Sequence, residues 1–246
     1  MTANGRWVAV MKYLLILGFG MAGMTGMAGW TERISNVELP NPDGSINRYG
    51  VLLPKGVEEG KRYPLVLILH YGGKVVPFYG RSFMEQLVAP AYAKQDWILV
   101  APDCPGKGGW SSPQAQDFIP KLLAHLAVRY PVNETVILMG YSMGAHGVWY
   151  WADKQPDRFA AAVAVSGRPF ESGLAENYKK TPIYVIHSRD DELIPLKKTA
   201  AFVTRLKKEG VAVKFASITD LRHYDVGGYV PHLRRTIPWL KKRIKK

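Results

Sequence analysis

The sequence predicts an α/β protein: a mostly parallel central sheet with helices on both faces, preceded by an antiparallel hairpin. Three observations carry this. Apolar runs of strand length, such as Tyr63 to His70 (YPLVLILH), alternate with segments whose apolar residues recur at helical spacing. A turn-rich stretch, Asn41-Pro42-Asp43-Gly44, separates two early strand-like segments. Finally, Val136-Ile137-Leu138-Met139 passes at once into Gly140-Tyr141-Ser142-Met143-Gly144 and a helix-length aromatic segment. That succession is a buried strand, a sharp turn and a helix.

In chain order, Ile34 to Leu39 and Arg48 to Leu53 form the hairpin at a sheet edge, and Tyr63 to His70 is the first buried strand. A helix is expected over Ser82 to Lys94, irregular at Pro90, followed by a strand from Trp97 to Ala101. Pro113 to Arg129 carries Phe118, Leu122 and Leu126 at helical spacing and stops before Pro131. Beyond the central strand and its helix come strands at Phe159 to Val165 and Ile183 to His187. Pro195 to Glu209 reads as a helix closed by Gly210, and Val211 to Ile218 as the last strand. A final helix runs from Gly228, re-aimed by Pro231 and Pro238. Only about fifteen residues separate Gly167 from the strand at Ile183, which leaves no room there for a large lid.

The chain has 246 residues, 47% hydrophobic, with no internal repeat, and fits a single domain. Its first residues stand apart. Arg6 and Lys12 precede an apolar run from Tyr13 to Phe19 and a small-residue stretch ending in Gly26-Met27-Ala28. This pattern predicts a signal peptide over 1–28, a domain over 29–246 and a periplasmic or secreted location, with no stable membrane anchor after removal. Cys104 is the only cysteine, so no intrachain disulfide can form. The formal charge is +13, with Lys241, Lys242, Arg243, Lys245 and Lys246 clustered at one end. No aromatic-basic interleaving accompanies it, so a solvated basic face is expected rather than a nucleic-acid partner.

The chemistry centres on Ser142. In Gly-x-Ser-x-Gly the flanking glycines let a tight strand-to-helix turn close, lifting the hydroxyl above the sheet edge beside the first helical N–H groups. The five-residue pattern alone arises by chance in about one chain in ten of this length, so its setting between strand and helix carries the inference. Serine needs a base within hydrogen-bond reach, and the base needs a carboxylate to fix its tautomer. In a parallel sheet both come from loops at the carboxyl ends of later strands. Those loops here are Ser188 to Pro195, which holds Asp190, Asp191 and Glu192, and Asp220 to His223. The order Ser, Asp, His is the one this architecture uses.

The segments YPLVLILHYGG, GYSMGAHGVWYWADKQPDRFAAAVAVSG and IHSRDDELIP resemble the α/β-hydrolase superfamily. Within it they are similar to the polyhydroxybutyrate-depolymerase-like, phospholipase/carboxylesterase-like and dienelactone-hydrolase-like esterases. The resemblance covers nearly all of the chain after residue 28. It implies a serine esterase with Ser142 as nucleophile. The related pattern His-Gly-x-x-Asp-x-x-Val-Pro selects Asp191 over Asp190, with Ser188 and Ile194 as departures. His223 matches the position of the base; His232 falls within the last helix. His70, His125, His146 and His187 take structural places.

The oxyanion donors are expected to be the N–H of Met143 and one from the loop after His70, where Tyr71 stands at a position the family gives to glycine, with Gly72 the alternative. Gly72, Trp110 and Tyr141 are candidate substrate-binding residues, and Cys104 lacks any activating motif. No cofactor or metal is implied. The substrate class is a small-molecule or oligomeric ester. Peptide cleavage, acyl transfer, or non-catalytic binding on the same scaffold are the alternative readings.

Overall fold

A computed structural model describes residues 29–171 and 173–244. The expected signal segment, 1–28, lies outside the described residues.

Among those residues, eight strands form one sheet in the order β1-β2-β4-β3-β5-β6-β7-β8. β1 (Ile34–Pro40) and β2 (Ile46–Leu52) make the antiparallel hairpin, and β2 joins β4 (Ile98–Pro102) antiparallel. β3 (Tyr63–Leu69) lies between β4 and β5 (Val132–Tyr141). From there β6 (Ala161–Val165), β7 (Ile183–Ser188) and β8 (Val213–Ile218) continue in parallel. The apolar runs are continuous because both faces are covered. Along β3, Leu65, Leu67 and Leu69 enter one core while Val66 and Ile68 enter the other.

On one face pack α3 (Pro113–Arg129), α4 (Met143–Lys154) and α6 (Leu196–Lys208). The other holds α1 (Tyr79–Phe83), a π turn (Met84–Val88), α2 (Ala89–Tyr92), α7 (Val230–Arg234) and α8 (Ile237–Ile244). The helix expected from Ser82 to Lys94 thus starts earlier, at Tyr79, and carries a π turn in its middle. Its start is set from a distance: Asp103, beyond β4, accepts the N–H groups of Phe78 and Gly80, both at 2.8 Å. The wide turn comes just before Pro90, which has no N–H to give and whose ring would strike the carbonyl four residues back. In the last segment Pro231 and Pro238 each sit in a first helical turn, where the missing N–H costs nothing. The break falls instead at Arg235 and Thr236, where the buried Thr236 hydroxyl pairs with Tyr92.

The connection from β6 to β7 contains only α5 (Ala175–Lys180), whose Tyr178 is buried against Trp149 and Phe202. There is no large lid among the described residues. No described helix is long and apolar enough to cross a membrane.

Candidate active site

Ser142 joins β5 to α4 with φ 55° and ψ −114°, a strained geometry for a residue with a side chain. Its N–H is tied to Val165 O on β6 at 2.9 Å, and its carbonyl accepts the N–H of His146 at 3.0 Å. The glycines on either side answer to close approach. A Cβ at Gly140 would run into the Gly144 carbonyl, and one at Gly144 into the carbonyl of Leu69 at the end of β3. α4 therefore starts tight against the sheet, with the Met143 N–H in its unpaired first turn.

His223, from the loop after β8, reaches Ser142 Oγ with Nε2 at 2.9 Å. Its Nδ1 lies 3.0 and 2.9 Å from the two carboxylate oxygens of Asp191, from the loop after β7. A carboxylate accepts only, so the ring proton sits on Nδ1 and Nε2 is left to accept from the serine hydroxyl. Both side chains are buried. Asp190 is exposed and directs its carboxylate elsewhere, to the N–H of Asp220. His232 is a partly exposed residue of α7 beside Arg235.

Asp191 is held by more than its histidine. Ser166 Oγ donates to Oδ2 at 2.7 Å, and the N–H groups of Leu193 and Ile194 donate to Oδ1 at 3.1 and 2.7 Å. His187, expected only as a strand end, is buried; its Nε2–H donates to Ile194 O at 2.7 Å and stands 3.5 Å from Asp191 Oδ2. Burial favours the neutral acid, but the adjacent His187 N–H and the bonds from His223, Ile194 and Ser166 outweigh it and hold the carboxyl well below the usual range. Because the Ser166 proton goes to the carboxylate, the Tyr229 hydroxyl at 2.8 Å must donate to Ser166 Oγ. The backbone of His223 is gripped on both sides: Glu192 Oε2 accepts its N–H at 2.9 Å, and Tyr141 Oη donates to its carbonyl at 2.7 Å.

Across the serine, the loop after β3 is organised by His70, which is fully buried. Its Nε2 accepts the N–H of Cys104 at 2.9 Å, so the proton sits on Nδ1 and goes to Tyr71 O at 2.7 Å. Burial pushes His70 down to about 4, against the pull of the Tyr71 carbonyl, and keeps the ring neutral near pH 7. The Tyr71 N–H makes no hydrogen bond among the described residues. Gly72 is exposed, and a Cβ there would lie 3.8 Å from the Met143 side chain. The loop after β3 thus runs beside the first turn of α4.

Two of the candidate substrate-binding residues lie in the core. Trp110 and Tyr141, expected at a substrate pocket, are each only 1% exposed. Trp110 donates from Nε1 to His70 O and accepts at its carbonyl from Trp151 Nε1; a Cβ at Gly147 would run into its own Cβ. Tyr141 spends its hydroxyl on His223 O and packs its ring on Tyr71, Phe83 and Tyr229. Both support the site from the core. Cys104 is buried, and burial pushes its thiol up to about 12, far from a reactive thiolate. A groove of about 740 Å³ opens between the β1–β2 hairpin and α3, lined by Ile46, Val75, Pro105 and Phe118 among others, but neither Ser142 nor His223 lines it. No described cluster of three or more His, Cys, Asp or Glu residues could hold a metal ion.

Ser166, Tyr229 and Glu192 were not singled out in the sequence. The signal for Ser166 was there, a Ser-Gly pair at the end of a buried strand, but its target lies 25 residues away.

The sequence profile described as Phospholipase/Carboxylesterase matches residues 111–237, more than half of the chain. No curated protein sequence matches. Among solved structures, a thermostable esterase superposes with a TM-score of 0.73 at 23% identity, covering 86% of this chain and 63% of that one. The chain thus spans less than two thirds of that esterase. A ferulic acid esterase gives 0.69 at 20% identity, with 85% and 98% covered. The fluorophosphonate-binding serine hydrolase F of Staphylococcus aureus gives 0.68 at 15%, with 84% and 97% covered. At such identities the superpositions establish a shared fold.

Proposed function

The chain belongs to the phospholipase/carboxylesterase family, and on that premise we propose that it is a serine hydrolase of carboxylic esters acting through Ser142, His223 and Asp191. The observation that carries this reading is the continuous hydrogen-bonded series from Ser142 Oγ through the His223 ring to Asp191. Ser142 Oγ attacks the ester carbonyl carbon while His223 Nε2 takes the hydroxyl proton. Asp191, held ionised, stabilises the imidazolium and keeps its orientation. The N–H groups of Met143 and Tyr71 receive the developing oxyanion, an effect worth about 3–4 kcal/mol per donor. The tetrahedral intermediate collapses, the alcohol leaves with the proton from His223, and an acyl-serine remains. Water then gives a proton to His223 and attacks the acyl carbon; the second tetrahedral intermediate collapses, His223 returns the proton to Ser142 Oγ, and the acid is released.

Labelling with a fluorophosphonate alongside p-nitrophenyl acetate hydrolysis tests this. The wild type should be labelled and turn over, and Ser142→Ala should do neither. Faster cleavage of a matched arylamide than of the ester would move the protein to the peptidases, and a wild type inert in both assays would leave it a binding protein. The same proposal takes 1–28 as an export signal. The exported protein should begin near Gly29 or Trp30 by mass; an intact leader on it would refute that.

A further inference from the structure

Three consecutive acidic residues follow β7, and each grips the loop carrying His223 at a different point. Asp191 takes the ring, as described above. Asp190 Oδ2 accepts the N–H of Asp220 at 2.7 Å, and Glu192 Oε2 accepts the N–H of His223 itself at 2.9 Å. The setting explains why carboxylates are needed there. β7 and β8 pair as far as Ser188 and Ile218, and the ladder is extended once, by Arg189 N–H to Ile218 O at 2.8 Å. Beyond it the two chains separate, and the N–H groups of the second have no strand partner. Side-chain carboxylates take over: Asp190 for residue 220, Asp225 for Arg222 at 2.7 Å, and Glu192 for 223. Asp220 has φ 65°, a strained left-handed turn for a residue with a side chain, and it is the residue Asp190 pins.

We propose that Asp190 and Glu192 are positioning residues that clamp the Asp220–His223 loop in the register that brings His223 Nε2 to Ser142. The proposal rests on the hydrolase reading. Asp191 alone fixes one ring nitrogen but leaves the peptide behind it free to slide. With Glu192 on its N–H and Tyr141 on its carbonyl, the His223 peptide is held along its own axis. A shift of about 1 Å at the base costs on the order of a hundredfold in rate. Glu192 is exposed, so its removal opens no cavity and leaves the core intact.

The clamp needs an acceptor oxygen, not a charge, and that separates it from general electrostatics. Glu192→Ala should lower kcat on p-nitrophenyl acetate by roughly tenfold to a hundredfold with KM within about twofold. Glu192→Gln keeps an amide oxygen and should return most of the rate. Asp190→Ala and Asp190→Asn should repeat the pattern with smaller losses. Amide hydrogen exchange of peptides spanning residues 218–226 gives a readout independent of turnover: it should quicken in Glu192→Ala and stay near wild type in Glu192→Gln. Unchanged exchange in Glu192→Ala, or a Gln variant no better than Ala, would overturn the clamp. If the wild type neither hydrolyses esters nor takes the fluorophosphonate, the hydrolase reading fails, and the exchange comparison alone decides whether the loop is clamped.

Discussion

Ser166 Oγ donates a 2.7 Å hydrogen bond to Asp191 Oδ2 from a position 25 residues earlier in the chain. Ser166 is fully buried, stands at φ 47° and receives the Tyr229 hydroxyl in turn. The acid that orients His223 is therefore itself oriented by β6, the strand next to the elbow. Ser166→Ala leaves a buried carboxylate short of a donor and Tyr229 without its acceptor. It should cost about 1.5–3 kcal/mol in urea unfolding, because one of the bonds is charge-assisted. Tyr229→Phe removes only a neutral bond and should cost about 1 kcal/mol. Equal losses in the two variants would contradict this assignment of donors.

His223→Ala should lower kcat/KM for a soluble ester by about a thousandfold or more while the melting temperature stays within a few degrees of wild type. His232→Ala, on a partly exposed helix, should change neither. A rate collapse in His232→Ala with His223→Ala unaffected would remove His223 from the mechanism.

His70 makes stability depend on pH. Its folded value is depressed to about 4 from an ordinary 6.5, so the unfolded chain binds the extra proton between those values. The sign follows: the contribution is complete above pH 6.5 and is lost as pH falls towards 4. The loss should reach on the order of 3 kcal/mol. Urea unfolding at pH 7.5, 6 and 4.5 should show this slope, and His70→Asn should be less stable at pH 7.5 but flatter across the range. Parallel slopes for the two proteins would refute the assignment.

With only α5 between β6 and β7, no apolar helix roofs the serine among the described residues. Activity should rise smoothly with the concentration of p-nitrophenyl butyrate, and with a medium-chain ester taken through its solubility limit. An abrupt jump when droplets form would mean that a lid is supplied from elsewhere, such as Lys74 to Arg81 or Gly106 to Ser112.

Much of this molecule is legible from local pattern. The buried runs of β3 and β5, the helix over Pro113 to Arg129 and the glycines around Ser142 all answer to constraints acting within a few residues. The loops that carry Asp191 and His223 could be located from strand order. The choice between Asp191 and Asp190 needed a resemblance, because both acids sit in the same short loop. Geometry then separates them: one faces the imidazole and the other the backbone of Asp220.

What local pattern leaves open depends on residues distant along the chain. Trp110 and Tyr141 are aromatics on loops and strand ends near the serine, which is also what a pocket wall looks like in sequence. Their burial depends on Gly147 leaving room for one and on His223 O accepting from the other, 82 residues away. The start of α1 shows no capping residue nearby, since its cap is Asp103, from beyond β4.

By itself the sequence determined the strand order of the chemistry, the strained turn at Ser142 and the apolar periodicity that builds a sheet covered on both faces. Periodicity and glycine spacing act locally, so they can be read from one chain end to the other without knowing the fold. Only the tertiary structure brings Ser166 onto Asp191 and Glu192 onto the His223 peptide, and only it buries Trp110 and Tyr141. Those are hydrogen bonds between loops brought together only when β5, β6, β7 and β8 pair side by side, and no spacing along the chain encodes them.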